Sequence, residues 1–479
     1  MRPVPALLAI GLASAALART PVGSIDDFIA AELPISGAPG VAYAVVENGE
    51  SVSGAHGEVL VGSGRPVTAE TPFLIGSISK GFTAMAVMKL AEAGEVELGA
   101  PVSRYLDVFK DRPSGAITIR QLLSHTSGFS TRQGNDSQIG GSQGGDDLQR
   151  QVARIAEWSP AYAPDARWQY SNANYQILGA VIEHVSGRDF AGYVEAQVLE
   201  PIGMDQSFVS DGQSHDAMAV GHQPWFGSKR PLRHNSTNRV NAPAGGVVAT
   251  ASDMALYLAV MLNGQDDVIS AESKAAMLRP ASAASPSYGL GWFIDTQNGT
   301  VYHSGLTPGV ETLAVLLPSE RRGVVILVNA NSGLGFGENA ALFSGVSARA
   351  LGHADHGGGS SWGPKSLFLT FALLPVIFVI AIAVAWRHRA GLRAKSGAFG
   401  AFSVWFPLFM TVALAWTALY LIPQLFGLPM RAFFLYQPDF VLMLAATAVT
   451  GIVWAVFRLG VFYSSSANRS AGDDEIPAA

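Results

Sequence analysis

Residues 71–80 read Thr71-Pro72-Phe73-Leu74-Ile75-Gly76-Ser77-Ile78-Ser79-Lys80, and they lead into an apolar stretch that stops at Ala93-Gly94. The spacing predicts a helix over Ser77–Ala93, with Phe82, Met85, Met88 and Leu90 buried and Gly94 as its stop. Ser77 and Lys80 stand at i and i+3 and so share a face. Ser77 falls in the first turn, where free backbone N–H groups and the helix dipole favour negative charge. A lysine desolvated beside that hydroxyl loses proton affinity and can serve as its base. The chain holds a single Ser-x-x-Lys. Alone, the pattern is also that of an N-cap serine followed by an exposed lysine.

Working outward, two further motifs carry chemistry. Tyr170-Ser171-Asn172 is the single Tyr-x-Asn in the chain. A phenol near an ammonium can accept and return a proton, and Asn172 offers an amide to a substrate carbonyl. His303-Ser304-Gly305 lies at the end of a predicted strand, and Gly305 lets a substrate approach the backbone closely. Lys395-Ser396-Gly397 has a similar form but sits between two apolar helices, on the other side of a bilayer from Ser77. His125 is the obvious candidate for a Ser-His-Asp triad, set against a structural turn after a helix. His184 and His222 lack metal-ligand spacing, and Asp165 and Asp253 read as turn and cap residues.

Strands are predicted at Val41–Val46, followed by an Asn48-Gly49 turn and a partner strand. More follow at Tyr288–Ile294, Thr300–His303, Thr312–Leu317 and Gly323–Val328, with a polar turn at Pro318–Arg322. Glu338–Leu351 reads as a last helix, and Gly134–Asp147 as a mobile loop. Strands at both ends around a helical middle give an α/β (α+β) sandwich with a helical insertion.

In this order and context the motifs resemble the penicillin-recognising serine hydrolases, in particular the class C β-lactamase-like group. That group includes D-alanyl-D-alanine carboxypeptidases, D-aminopeptidases and family VIII esterases. The resemblance covers roughly Ile25 to Leu351. It takes in Thr71-Pro72-Phe73, Leu122-Leu123-Ser124-His125-Thr126-Ser127-Gly128, and Pro243-Ala244-Gly245-Gly246 running to Thr250-Ala251-Ser252-Asp253. His303-Ser304-Gly305 with Pro308-Gly309 completes it. It implies a serine β-lactamase-like fold and an acyl-enzyme mechanism. Ser77 is the nucleophile, and Lys80 and Tyr170 move its proton. Asn172, His303, Ser304 and Gly305 line the substrate, and the N–H groups of Ser77 and Leu306 hold the oxyanion. No metal or organic cofactor is required. His303 is a departure, since lactamases and carboxypeptidases commonly carry lysine there. A histidine is mostly neutral at pH 7 and becomes cationic toward pH 6. The substrate expected is a small molecule or peptide: an ester, or a D-amino-acid peptide. β-Lactam hydrolysis, carboxypeptidase action and a non-catalytic membrane receptor are the alternatives.

The ends explain the composition. Hydrophobic residues make up 49% of the 479, and charged ones only 14%, against about 25% in a soluble domain. The net charge of −6 argues against a nucleic-acid partner, and the lack of cysteine excludes disulfides and thiolate sites. Residues 1–18 have the layout of a signal peptide, with Met1-Arg2-Pro3, an apolar run Val4–Leu17, and Ala16-Leu17-Ala18 before the cut. Residues 19–355 form the hydrolase domain and 356–365 a Gly/Ser linker. Three uncharged runs follow within 366–462: Ser366–Trp386, Phe402–Phe426 and Phe440–Phe457. Each can cross ~30 Å of hydrocarbon as a helix and so meet membrane lipid. Arg387, Arg389, Arg393 and Lys395 in the first loop, against Arg431 alone in the second, put the first loop in the cytoplasm. The tail 463–479 is then cytoplasmic, and the N-terminal domain is extracytoplasmic.

Overall fold

The computed structural model describes residues 24–137, 147–233, 235, 237–353 and 362–470. The signal-peptide reading of 1–18, most of the 134–147 loop and the Gly/Ser part of the linker fall outside them. Two compact units divide the chain near residue 360.

The first unit is built on a six-stranded antiparallel sheet. Its strands are β1 (Gly40–Glu47), β2 (Glu50–Gly57), β3 (Phe293–Asp295), β4 (Thr300–Thr307), β5 (Val310–Leu317) and β6 (Arg322–Val328), in the order β2-β1-β6-β5-β4-β3. Asn48 and Gly49 both take positive φ (53° and 90°), the left-handed pair that closes a two-residue hairpin between Glu47 and Glu50. The central strands are apolar at nearly every position because both faces are covered. Val41, Tyr43, Leu313, Val315, Val324 and Ile326 face one side. There they meet Ile29 and Leu33 of α1 (Ile25–Ser36) and Leu342, Phe343 and Val346 of α5 (Ala340–Leu351). Ala42, Ala44, Ala314, Leu316, Val325 and Leu327 face the other core. This core is shared with α2 (Ser79–Glu92), α3 (Asn172–Ser186) and α4 (Ala251–Leu262). Each large side chain so buried contributes about 1.5–3 kcal/mol.

The reading of 288–294 as strand is corrected. The strand covers only Phe293–Asp295, and Gly291 turns at φ +85° with its Cα facing α2. A Cβ there would lie 2.8 Å from the Lys80 carbonyl, so the run is a turn pressed on α2. β3 therefore pairs β4 only at Thr300–Tyr302. Beyond that, the β4 edge from His303 to Thr307 has no strand partner on this side among the described residues. Gly134 is likewise helical, within Thr131–Asp136 rather than in a loop.

The second unit holds α6 (Trp362–Arg387), α7 (Gly397–Trp416) and α8 (Pro438–Ser470). All three are long and apolar enough to cross a membrane, and α6 begins inside the stretch read as linker. α7 continues through a π turn at Thr417–Leu421 to Leu425; the irregularity precedes Pro423, which has no N–H to give. The α8 span is the most enclosed of the three, at 44% against 17% and 22%.

Candidate active site

Ser77 is carried by a 3-10 turn, Gly76–Ile78, that feeds directly into α2. Gly76 holds φ +57°, which sharpens the turn and lifts Ser77 to a half-buried position at the base of the site. The turn is pressed against β4. A Cβ on Gly76 would lie 2.8 Å from the Leu306 amide nitrogen, and one on Gly305 would lie 2.0 Å from the Ile75 carbonyl oxygen. Thr312 Oγ1 of β5 donates to that same Ile75 carbonyl at 2.8 Å, and the Val247 N–H donates to Ser79 Oγ at 2.9 Å. The Ser77 turn and the sheet edge are thus held together by two glycines and the Thr312 hydroxyl, while Ser79 ties the start of α2 to Val247.

Lys80 is completely buried, and burial holds its ammonium well below the ordinary lysine range. Its Nζ lies 3.1 Å from Ser77 Oγ, 2.8 Å from Asn172 Oδ1 and 2.5 Å from the Ala244 carbonyl oxygen. The last two are acceptors only. A neutral amine has two N–H groups and one lone pair. As an ammonium Lys80 can donate to all three oxygens, and in the neutral form N–H groups given to Asn172 and Ala244 would leave the lone pair for the Ser77 hydroxyl. Asn172 opens α3, and its Nδ2 donates to Asn135 Oδ1 at 3.4 Å, so the amide oxygen faces Lys80. Tyr170 is 8% exposed, and Lys80 Nζ stands 4.9 Å from its ring centroid. Ser77, Lys80, Tyr170 and Asn172 are therefore gathered at one place, with Gly305 and Leu306 across from them. Ser304 and Leu306 are exposed along the open β4 edge.

His303 differs from its sequence reading as a substrate-binding residue. Its side chain turns inward and is 1% exposed. Nδ1 donates to the Ser304 carbonyl at 2.7 Å, which leaves Nε2 to accept from the Tyr288 hydroxyl at 3.2 Å. Both ring nitrogens are occupied inside the protein. Burial, with the Lys80 charge added, pushes its pKa down to about 3. A cationic His303 near pH 6 is thus corrected: the ring stays neutral.

His125 is fully buried at φ +60°, and its ring lies 4.4 Å from that of Tyr170. Its Nδ1 accepts from the Ser171 N–H at 3.2 Å and from Asn174 Nδ2 at 3.1 Å. The backbone of Gln169 donates to its carbonyl. It clamps the segment that bears Tyr170 and Asn172, and burial keeps it neutral. Asp165 takes φ +60° in a turn and accepts from Gln121, while Asp253 accepts from Gln206 N and Ser207 Oγ. His222 is buried between Asn329 and Val61. Among the described residues no three His, Cys, Asp or Glu are grouped to hold a metal ion. Sequence reasoning missed the Ala244 carbonyl, Thr312 and Tyr288. Of these, only Ala244 had a signal, as part of Pro243-Ala244-Gly245-Gly246.

Comparison with known proteins agrees with this geometry. The pattern of the family described as Beta-lactamase matches residues 25–346. Protein flp of Staphylococcus aureus strain MRSA252 is 26% identical over 418 residues, covering 84% of this chain and 82% of flp. A match of that extent cannot fit within residues 1–346, so it runs into the C-terminal region. The flp of strain COL is matched over 63% of its own length. Esterase EstB of Burkholderia gladioli is 35% identical over 213 residues, 40% of this chain and 53% of EstB. Among solved structures, the octameric penicillin-binding protein homologue from Pyrococcus abyssi superposes with a TM-score of 0.58 at 27% identity, covering 69% of this chain and 77% of that one.

Proposed function

We propose that this chain, which belongs to the β-lactamase family, is a membrane-anchored serine hydrolase that cleaves an ester or amide through an acyl-enzyme on Ser77. The observation that carries the reading is the placement of Lys80: fully buried, with Nζ 3.1 Å from Ser77 Oγ and two further acceptors able to take both N–H groups of the neutral amine. Ser77 Oγ attacks the carbonyl carbon while its proton passes to Lys80, with Tyr170 alongside. The N–H groups of Ser77 and Leu306 hold the tetrahedral oxyanion. The bond to the leaving group then breaks as Tyr170 returns the proton to it. Water, deprotonated by the same pair, cleaves the Ser77 ester and frees the acid.

The substrate in this reading is a neutral ester or a D-amino-acid peptide. An inward, neutral His303 offers no charge to a substrate carboxylate, which sets β-lactams and C-terminal peptides at a disadvantage. The same reading takes 1–18 as a signal peptide, 19–355 as the extracytoplasmic hydrolase domain, 366–462 as three spans and 463–479 as a cytoplasmic tail. Support for the anchor comes from the three long apolar helices and from the flp match extending past residue 346.

The test is covalent labelling with a fluorophosphonate, followed by a hydrolysis panel. The panel comprises a short-chain nitrophenyl ester, a chromogenic cephalosporin, a D-amino-acid anilide and a D-Ala-D-Ala peptide. Intact mass should gain one adduct in the wild type and none in Ser77→Ala, and the ester should lead in kcat/KM. An adduct that persists in Ser77→Ala places the nucleophile elsewhere. A cephalosporin opened faster than the ester replaces the esterase reading with the lactamase one.

A further inference from the structure

Five cations of the C-terminal unit gather at one end of its helices. α6 finishes at Arg387, Arg389–Arg393 forms a short helical turn, and Lys395 precedes α7. α8 returns to the same end. Leu392 packs with Ala385 and Val461, and the Trp386 and Phe457 rings lie 6.2 Å apart. Arg458 Nη2 donates to the Ser403 carbonyl at 3.3 Å, and Lys395 Nζ to Ser403 Oγ at 2.6 Å. Five cations thus share one end of the bundle.

No ion pair among the described residues involves any of the five. Asp439 is the single acidic residue from Trp362 to Ser470, and it lies at the start of α8, the opposite end. Asp473, Asp474 and Glu475 lie outside the described residues. Arg387, Arg389 and Arg393 are exposed. Around them stand large exposed rings: Trp386 at 54%, Phe399 at 83% and Phe402 at 59%. The Arg389 guanidinium lies 4.8 Å from the Trp386 ring centroid. Rings below and unpaired cations above match the depth at which acyl chains give way to headgroups.

The geometry points to a binding site for acidic phospholipid headgroups at this end of the bundle, formed by Arg387, Arg389, Arg393 and Lys395 beside Arg458. It rests on the reading of the three helices as membrane spans. The counter-charge that the described residues do not supply comes from the anionic leaflet.

The full chain is reconstituted in phosphatidylcholine vesicles containing a minority of phosphatidylglycerol, one lipid or the other being brominated near its carbonyls. At equal mole fraction, brominated phosphatidylglycerol should quench tryptophan fluorescence about twofold more strongly than brominated phosphatidylcholine. Trp386→Phe should remove most of that excess, and the triple change Arg387→Gln, Arg389→Gln, Arg393→Gln should abolish it. High salt should also abolish it in the wild type, with no substitution made. Equal quenching by the two lipids, or an excess that survives both salt and the triple change, overturns the proposal. Release of the excess by soluble glycerol phosphate replaces the lipid with a free phosphate. Quenching by neither lipid refutes the membrane reading beneath it.

Discussion

Gly305→Ala isolates the contact on which the site is built. A methyl at that position would sit 2.0 Å from the Ile75 carbonyl oxygen and 2.1 Å from Thr312 Oγ1, so β4 and the nucleophile turn must separate. Overpacking of this kind costs about 1–3 kcal/mol. The Thr312–Ile75 hydrogen bond lies in the path of the methyl, and losing it adds about 1 kcal/mol. The expected destabilisation is therefore about 2–4 kcal/mol, survivable for a domain of this size. The larger effect falls on turnover, because separation carries the Leu306 N–H away from Ser77. Loss of one oxyanion donor costs roughly 10²–10³ in kcat. Thr312→Ala is the control, since it removes the same hydrogen bond without adding bulk. It should lose about 1 kcal/mol and keep most activity. Thermal unfolding of the full chain in detergent reads the first quantity, and ester kcat/KM with fluorophosphonate labelling reads the second. Gly305→Ala with wild-type kcat/KM would refute the claim that close Gly76–Gly305 packing sets the oxyanion donors.

Burial depresses the Lys80 pKa, so between that value and 10.5 the unfolded chain binds a proton that the native chain lacks, and stability rises with pH across this window. The base form of Lys80 exists above its folded pKa. Acylation should therefore climb with pH through an ionisation well below 10.5, and Lys80→Met should lose that limb with a drop of about a hundredfold or more. The His303 pKa is pushed down to about 3, so the ratio of ester to carboxylate-substrate kcat/KM should stay flat from pH 8 to about 5; a ratio that shifts near pH 6 means His303 titrates there. His125→Ala should leave the Ser171 N–H and Asn174 without their acceptor and cost about 1–3 kcal/mol, while turnover stays above about a tenth of wild type, measured by unfolding and ester hydrolysis. If His125→Ala is folded yet as inactive as Ser77→Ala, the assignment to Lys80 and Tyr170 fails. Alkaline phosphatase fused after Ala479 should be inactive, since in the proposed topology three spans from an exported domain end in the cytoplasm; an active fusion requires an even number of spans.

Elements governed by local pattern were legible in the sequence. The Ser77–Lys80 pair follows from helical spacing, β1 from an apolar run beside a two-residue turn, β6 from an apolar run after a polar turn, and the three long helices from length and apolarity. The missing parts depend on contacts between distant segments. The Tyr288–Ile294 run has the composition of a strand, yet packing against α2 forces a glycine turn at Gly291. The Ala244 carbonyl is a backbone group with no side-chain signature, although it holds Lys80 Nζ in place. His303 was read as a member of a motif, but its direction was not readable. Residues alternate across β4, and only the packed core decides which face is the site and which the interior. Tyr288 occupies His303 from fifteen positions away, across the turn that the sequence disguised as strand.

The central position of α8 has a consequence for synthesis. α6 and α7 emerge from the ribosome first, and each finds its main partner in a helix that is made last. Until Pro438 and the residues beyond it have been inserted, Phe371 lacks the Thr447 hydroxyl that donates to its carbonyl, and Ser403 lacks Arg458. In the proposed membrane-anchored form, assembly of the three helices therefore waits for α8. A message cut short before α8 would then yield a chain whose first unit is whole but whose two remaining helices stay unmated, the form that membrane quality-control proteases remove.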